Sequence, residues 1–236
     1  MKASVIIPNL NGAGWLHDSI ESIWAQTEQD FELIVIDNGS TDESLDIARS
    51  YCGRPGYTLI ENDRNTGFSH AVNQGIAIAK GEYVVLFNND AFAEPTWLAE
   101  LLRTADADPK IFAVSSLMLR YYEPELADDA GDYVTILGFA CKRGDGLKAS
   151  RYQKPCRVFS ACGGAALYRK SILDKIGVFD ELFFAYYEDV DLSWRANNFG
   201  YKNVYCPTAR CRHICGATTG AVRYNPFKSI QSGRNS

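Results

Sequence analysis

No apolar run in this sequence approaches the roughly 18 residues of a membrane-spanning helix. No basic, then apolar, then small-residue leader precedes the first apolar run, which starts at Ser4. A cationic excess is missing too. Lys and Arg number 24 against 29 Asp and Glu, for a net charge of −5, which excludes a general nucleic-acid binder because phosphate contacts need a basic face. There is no paired CxxC, and the seven cysteines are odd in number and scattered, so reduced thiols are expected rather than a disulfide framework. GxGxxG, internal repeats and low-complexity linkers are also absent. These absences lead to the expectation of a soluble, cytoplasmic chain. The end, KSIQSGRNS, is polar, with no helix expected to close it. Two readings stay open for it: a frayed terminus, or the stump of a membrane-associating segment that would place the protein at the inner face of the cell membrane.

What is present is an alternation of strands and helices. SVIIP (Ser4 to Pro8), FELIVID (Phe31 to Asp37), YTLIE (Tyr57 to Glu61), YVVLF (Tyr83 to Phe87) and Phe112 to Leu119 are short β-branched or apolar runs that predict buried strands. Between them, Leu16, Ile20, Ile23 and Trp24 recur at helical spacing. Ser40 and Glu43 read as a capping box for a helix carrying Leu45, Ala48 and Cys52 on one face. Phe68 to Ala79 reads as a helix ended by Gly81, and Pro95 as the start of a helix with Trp97, Leu98, Leu101 and Leu102 inward. Such alternation predicts a mostly parallel sheet with helices on both faces.

From Tyr121 to Pro155 the pattern weakens into an irregular insertion, with hairpins expected. RVFSACGGAALYRK then reads as a strand broken at Gly163 and Gly164. Ser171 to Ile176 is a short helix, Asp189 to Phe199 a helix stopped by Gly200, and YKNVYC a late strand. The 46% hydrophobic content is enough for a sizeable core. The expectation is one domain spanning 1–236 with two functional halves, 1–120 and 121–236.

Ligands of open α/β sheets sit beyond the carboxyl ends of the strands, and polar residues cluster there. Pro8, Asn9 and Asn11 follow the first strand, and Asp37 and Asn38 the second. A carboxylate at Asp37 can accept from a pyrimidine N–H or a ribose hydroxyl; an Asx-type turn explains the same pair. Asn88-Asn89-Asp90 follow YVVLF. Oxygen donors spaced i and i+2 can hold a divalent ion that also takes diphosphate oxygens, although only Asp90 is anionic. The segment Glu188-Asp189-x-Asp191-x-x-x-Arg195 opens a helix. Asp189 suits a general base taking the proton of an attacking hydroxyl, while capping and an i, i+4 ion pair between Asp191 and Arg195 are the structural alternatives. His213, in CRHICGATTG, can complete a metal shell or contact diphosphate; a histidine packed beside a strand is the structural alternative. Cys206, Cys211, His213 and Cys215 could together bind zinc, but core packing of the cysteines is the better reading.

These pieces stand in one order: VIIPNLNG, IVIDNGSTDES, NTGFSHAVNQGIAIAKGEYVVLFNNDA, CGGAALYRK, FFAYYEDVDLSWRANNFGY and HICGATT. The combination resembles the family 2 inverting glycosyltransferases, and within them the rhamnosyltransferase-like members, from about Ser4 to Thr219. The resemblance implies the glycosyltransferase A fold, a Rossmann-like sheet merged with an acceptor-binding half. It implies a nucleotide-diphosphate sugar donor, a divalent metal (Mg2+ or Mn2+), and a saccharide or lipid-linked acceptor of cell-surface polysaccharide synthesis.

By position, the resemblance places Pro8, Asn9, Asn11, Asp37 and Asn38 at the nucleoside, with Arg64 and Gly67 beside it. Asn88, Asn89 and Asp90 stand in the DxD place, with Asp90 and His213 toward the metal. Gly163 and Gly164 face the donor sugar and acceptor together with Glu188, Asp191 and Arg195, and Asp189 is the base. Asn88 replaces the first acid of DxD, and Leu10 stands where relatives carry a base-stacking aromatic. Two other classes stay in view. One is a sugar nucleotidyltransferase, against which PNLNGAGW lacks Lys or Arg; the other is a non-catalytic nucleotide-sugar-binding module, which Asn88 favours.

Overall fold

The computed structural model of the chain describes residues 1–137, 139–214 and 226–235. In chain order its elements are β1 (Ala3–Asn9), α1 (Leu16–Trp24), β2 (Phe31–Asp37), α2 (Ser44–Ser50), β3 (Tyr57–Glu61), α3 (Phe68–Ile78), β4 (Tyr83–Phe87), β5 (Ala91–Ala93), α4 (Trp97–Asp106), β6 (Ile111–Arg120), β7 (Ala127–Asp129), β8 (Asp132–Val134), β9 (Ala140–Lys142), β10 (Cys156–Val158), β11 (Ala165–Arg169), α5 (Lys170–Ile176), α6 (Glu188–Asn198), β12 (Lys202–His213) and α7 (Pro226–Asn235).

One sheet runs β10-β12-β6-β11-β4-β1-β2-β3, with β5 and β7 attached at β12 and β6. The strands β3, β2, β1 and β4 are parallel to one another, and β6 is parallel to β12. Between these blocks lies β11, antiparallel to both β4 and β6. The chain order reverses at β1 and β4, so the carboxyl ends of β1, β2 and β4 open on one crevice, where such sheets bind ligands.

Each central strand is apolar on both faces because helices cover both. Val5, Ile7, Leu33, Val35, Val85 and Phe87 point into a core closed by α1, α2 and α4. Ile6, Ile34, Ile36, Val84 and Leu86 point into a second core under α3, α5 and α6. Burying each such side chain is worth about 1.5–3 kcal/mol. A third, smaller cluster of Leu117, Leu119, Ala127, Ala130, Ala149 and Tyr205 lies under the 121–155 insertion. Among the described residues no helix is long and apolar enough to cross a membrane.

Several local expectations are corrected. The capping box is absent: α2 starts at Ser44 after Glu43, with no side-chain cap. Ser40 Oγ instead accepts from the Asn11 N–H and from Asn9 Nδ2. Cys52 lies beyond the end of α2 and is exposed, and Ile47 packs against the core from that helix. Gly81 does not end α3, which stops at Ile78. Its N–H donates to Ser4 Oγ (2.8 Å), and a Cβ there would meet the Ala3 carbonyl carbon at 2.5 Å. Pro95 precedes α4 by two positions, Thr96 being the N-cap. The polar tail, expected without a helix, carries α7. The late strand extends beyond YKNVYC through His213.

Candidate active site

Asn9 stitches three strand ends together. Its Nδ2 donates to Asp37 Oδ1 at 2.8 Å and its Oδ1 accepts from Asn89 Nδ2 at 2.7 Å, so β1, β2 and the turn after β4 are held by one buried amide. Gly12 leaves the room for this: a Cβ there would fall 2.3 Å from Asn89 Nδ2 and 2.4 Å from Asn9 Oδ1. Asp37 is buried and also accepts from the Ser40 N–H at 3.0 Å, the Asx-type turn that its sequence allowed.

Asn38 is committed at both ends of its amide. Oδ1 accepts from Asn62 Nδ2, Thr66 N and Thr66 Oγ1, and Nδ2 donates to Asn65 Oδ1 and the Gly67 carbonyl. It therefore shapes the 62–67 loop, on which Arg64 is exposed. Gly67 (φ 89°) has the left-handed backbone that side chains resist; a Cβ there would meet Phe184 at 2.8 Å. Asn11 adopts φ 51°, and its Oδ1 receives the Thr41 N–H. Pro8 is half-buried at the crevice end of β1.

After β4 the chain turns through Asn88, Asn89 and Asp90. Asp90 Oδ1 lies 3.1 Å from His213 Nε2, and Asn88 Nδ2 lies 3.3 Å from the same nitrogen. The other ring nitrogen, Nδ1, is 2.9 Å from Asp128 Oδ2, and Lys142 Nζ donates to the Asp128 carboxylate. A carboxylate on the far nitrogen of an imidazole fixes its orientation, an arrangement that metal-binding histidines use.

Gly163 and Gly164 join this cluster to Asp189. Gly163 N–H donates to Asp189 Oδ2 at 2.9 Å, while the Gly164 carbonyl accepts from the Asn88 N–H at 2.8 Å. A Cβ on Gly164 would meet Asn88 Nδ2 at 3.0 Å. Neighbouring peptides thus touch the NND turn and the ED motif. Asp189 also accepts from the Val190 N–H at 2.8 Å. Burial raises its pKa above the ordinary aspartate value, against these backbone donors. Glu188 is buried, and its Oε2 has no hydrogen-bond partner. Burial first, and the charge of Asp189 second, push it up to about 8. Of this pair, Asp189 has the N–H donors that favour an anion and Glu188 is the natural holder of a proton. Asp191 and Arg195 form the i, i+4 ion pair that their spacing allowed (2.9 Å), and the guanidinium donates to the carbonyls of Ile176, Gly177 and Val178.

Several residues here escaped the sequence reading. Asp128, Asp129 and Asp132 come from the insertion. Burial pushes Asp129 up to about 7 and Asp132 well above the usual carboxylate range, and both feel the charge of Asp189. Asp129 Oδ2 is buried without a hydrogen-bond partner, and Ser160 Oγ donates to Asp132. The available signal was the spacing LADDAGD, three acids around one glycine; buried, strongly shifted acids cluster at functional sites. Tyr186 and Tyr187, just before α6, both have positive φ (69° and 71°), and Asn235 of α7 donates to the Ala185 and Tyr186 carbonyls. Backbone held this way is typical of a functional turn.

Among the described residues no group of three His, Cys, Asp or Glu side chains forms a ready metal site. Cys206 and Cys211 are buried, and burial pushes the Cys211 thiol up, against thiolate ligation. Cys215 lies outside the described residues.

Residues 4–177 match Glycosyl transferase family 2, and the chain belongs to that family. Curated relatives include the cholesterol galactosyltransferase of Borreliella burgdorferi, 39% identical over 45% of this chain and 30% of the relative. The poly-beta-1,6-N-acetyl-D-glucosamine synthase of Staphylococcus epidermidis is 23% identical over 98% of this chain and 54% of the relative. This chain therefore spans at most about half the length of either. Two solved structures share the fold: GalNAc-T7 with UDP, GalNAc and Mn2+ (TM-score 0.76, 20% identity, 91% of this chain and 44% of that one), and the mannosyltransferase PcManGT from Pyrobaculum calidifontis with GDP-Man and Mn2+ (TM-score 0.71, 21% identity, 99% and 61%). The architecture is the glycosyltransferase A fold.

Proposed function

We propose that this chain is an inverting glycosyltransferase that moves a sugar from a nucleotide-diphosphate donor to a saccharide or lipid-linked acceptor. The observation that carries this reading is the Gly163-Gly164 junction, which puts the Asp189 carboxylate and the NND turn on adjacent peptides. In this reading the nucleoside lies over the ends of β1 and β2, against Pro8, Asn9, Asn11, Asp37 and the loop that Asn38 shapes. Asp90 and His213 would hold a divalent ion jointly with diphosphate oxygens. The donor set fits, one carboxylate and one imidazole whose far nitrogen Asp128 orients. When bound, the ion would supply charge neutralisation for the departing diphosphate.

The protein's own part is proton handling and placement. The acceptor oxygen attacks the anomeric carbon, the bond to diphosphate breaks, and the hydroxyl proton passes to Asp189. A single base opposite the leaving group gives inversion in one displacement, unlike the paired carboxylates of glycosidases. Asp189 must be ionised to act, and its raised pKa makes it a better base than a surface aspartate. Because the acid limb follows that raised value, turnover should fall at a higher pH than an ordinary carboxylate would impose.

Rhamnose from a deoxythymidine-diphosphate donor is the first sugar to test, on family resemblance alone. The experiment supplies a panel of sugar nucleotides with Mg2+ or Mn2+ and measures nucleoside diphosphate release. Release with one donor supports transfer. Pyrophosphate formed from a nucleoside triphosphate and a sugar phosphate would support a nucleotidyltransferase instead, and donor binding with no turnover across acceptors would support a binding module.

A further inference from the structure

The insertion between β7 and β10 carries a surface that the cleft does not use. The β8–β9 hairpin presents Tyr133, Ile136, Leu137 and Phe139 to solvent, Leu137 at 79%, and Leu147 is exposed beyond it. Large apolar side chains gathered at a surface mark an interaction site. The same segment reverses the charge of the chain: residues 142 to 157 hold six basic residues and one acid, in a protein of net charge −5.

Two of those cations are used internally. Lys142 binds Asp128, and Arg143 lies over the rings of Tyr152 and Tyr205. The other four, Lys148, Arg151, Lys154 and Arg157, are exposed, and among the described residues none has a carboxylate at ion-pair distance. Hairpin and basic stretch belong to one unit. Asp132 exchanges backbone hydrogen bonds with Phe159 and Ser160, and Ala127 N–H donates to the Leu147 carbonyl; the small third core lies beneath.

We propose that this unit docks on an anionic lipid bilayer, the hairpin tip entering the interfacial layer and the four cations meeting head-group charge. An apolar tip and a basic stretch on one folded unit are the pairing that interfacial binding uses. Asp128 and Asp129 sit on β7 of the same unit, so docking would hold the cleft at the membrane surface, within reach of a lipid-linked acceptor. That benefit rests on the transferase reading, whereas the lipid binding does not.

The test is flotation of the full chain with vesicles of phosphatidylcholine alone or with phosphatidylglycerol added, in the absence of donor. Binding is expected to need phosphatidylglycerol and to weaken with salt. At roughly fivefold per cation, the variant Lys148→Gln/Arg151→Gln/Lys154→Gln/Arg157→Gln should lose about 600-fold. Ile136→Ser/Leu137→Ser/Phe139→Ser should lose at least about tenfold with an unchanged thermal midpoint. Nucleoside diphosphate release from soluble donor should be the same in both variants as in the parent. Absence of binding to phosphatidylglycerol vesicles, or binding unmoved by both variants, overturns the proposal. So does a dimer that the serine variant abolishes without any vesicle binding, which would give the face to a second copy of the chain.

Discussion

Asp128 illustrates how a single side chain can matter without touching substrate. It fixes His213 through Nδ1 and leaves Nε2 toward Asp90. Asp128→Asn is expected to weaken Mn2+ binding, read by electron paramagnetic resonance in the presence of nucleoside diphosphate, by about 10–100-fold, while the thermal midpoint barely moves; unchanged affinity would leave Asp128 with a structural part only. Glu188 gives a pH prediction. Its folded pKa of about 8 lies above an ordinary carboxylate, so its contribution to stability is full below the unfolded value and is lost as pH rises toward and through about 8. Glu188→Gln cannot ionise, and its thermal midpoint should fall less between pH 5 and pH 9 than that of the parent. Parallel midpoints across that range would contradict the assignment. Neither Asp128 nor the state of Glu188 was legible in the sequence: Asp128 and His213 are 85 residues apart, and burial of a charged residue at a helix start leaves no periodic trace.

At the level of elements, the ends of β1, β2 and β4 and the bounds of α3, α5 and α6 were legible, whereas the starts of α2 and α4 and the end of β12 were not. β1, β2 and β4 are β-branched runs buried on both faces, so their carboxyl ends, and the polar residues there, could be read from composition alone. Helix starts depend on what the preceding loop has to do. Ser40 and Glu43 have the spacing of a capping box, but Ser40 is taken by Asn9 and Asn11 across the crevice, and tertiary hydrogen bonding overrides the local motif. The insertion looked irregular because its strands β7, β8 and β9 are three residues each, too short for an alternating pattern to show, although β7 pairs with the preceding β6 and β8 with β9. The Asn9–Asn89 bond is the joint between elements most open to test. Gly12→Ala pushes a methyl against both amides; donor affinity should drop about tenfold while stability falls by about 1 kcal/mol, the low end of overpacking costs. Unaltered donor affinity would mean that this joint does not shape the pocket.

For the whole molecule, the two halves are one sheet. β11 threads from the Gly163-Gly164 loop between β4 and β6, and β12 carries His213 to the NND turn from the far side of the chain. The family was readable from motif order, since each short motif lies at one end of a strand or opens a helix. The LADDAGD spacing showed three acids together, but their burial beside Asp189 and the α7 contact at Tyr186 were not readable, because both arise from long-range packing. The measurement that bears most directly on the central claim pairs donor affinity by calorimetry with nucleoside diphosphate release for Asp189→Asn. An isosteric amide keeps the shape but cannot take the proton. Release should fall by about 10²–10⁴-fold with donor affinity within about twofold of the parent. Release within tenfold of the parent would contradict the placement of the base at Asp189.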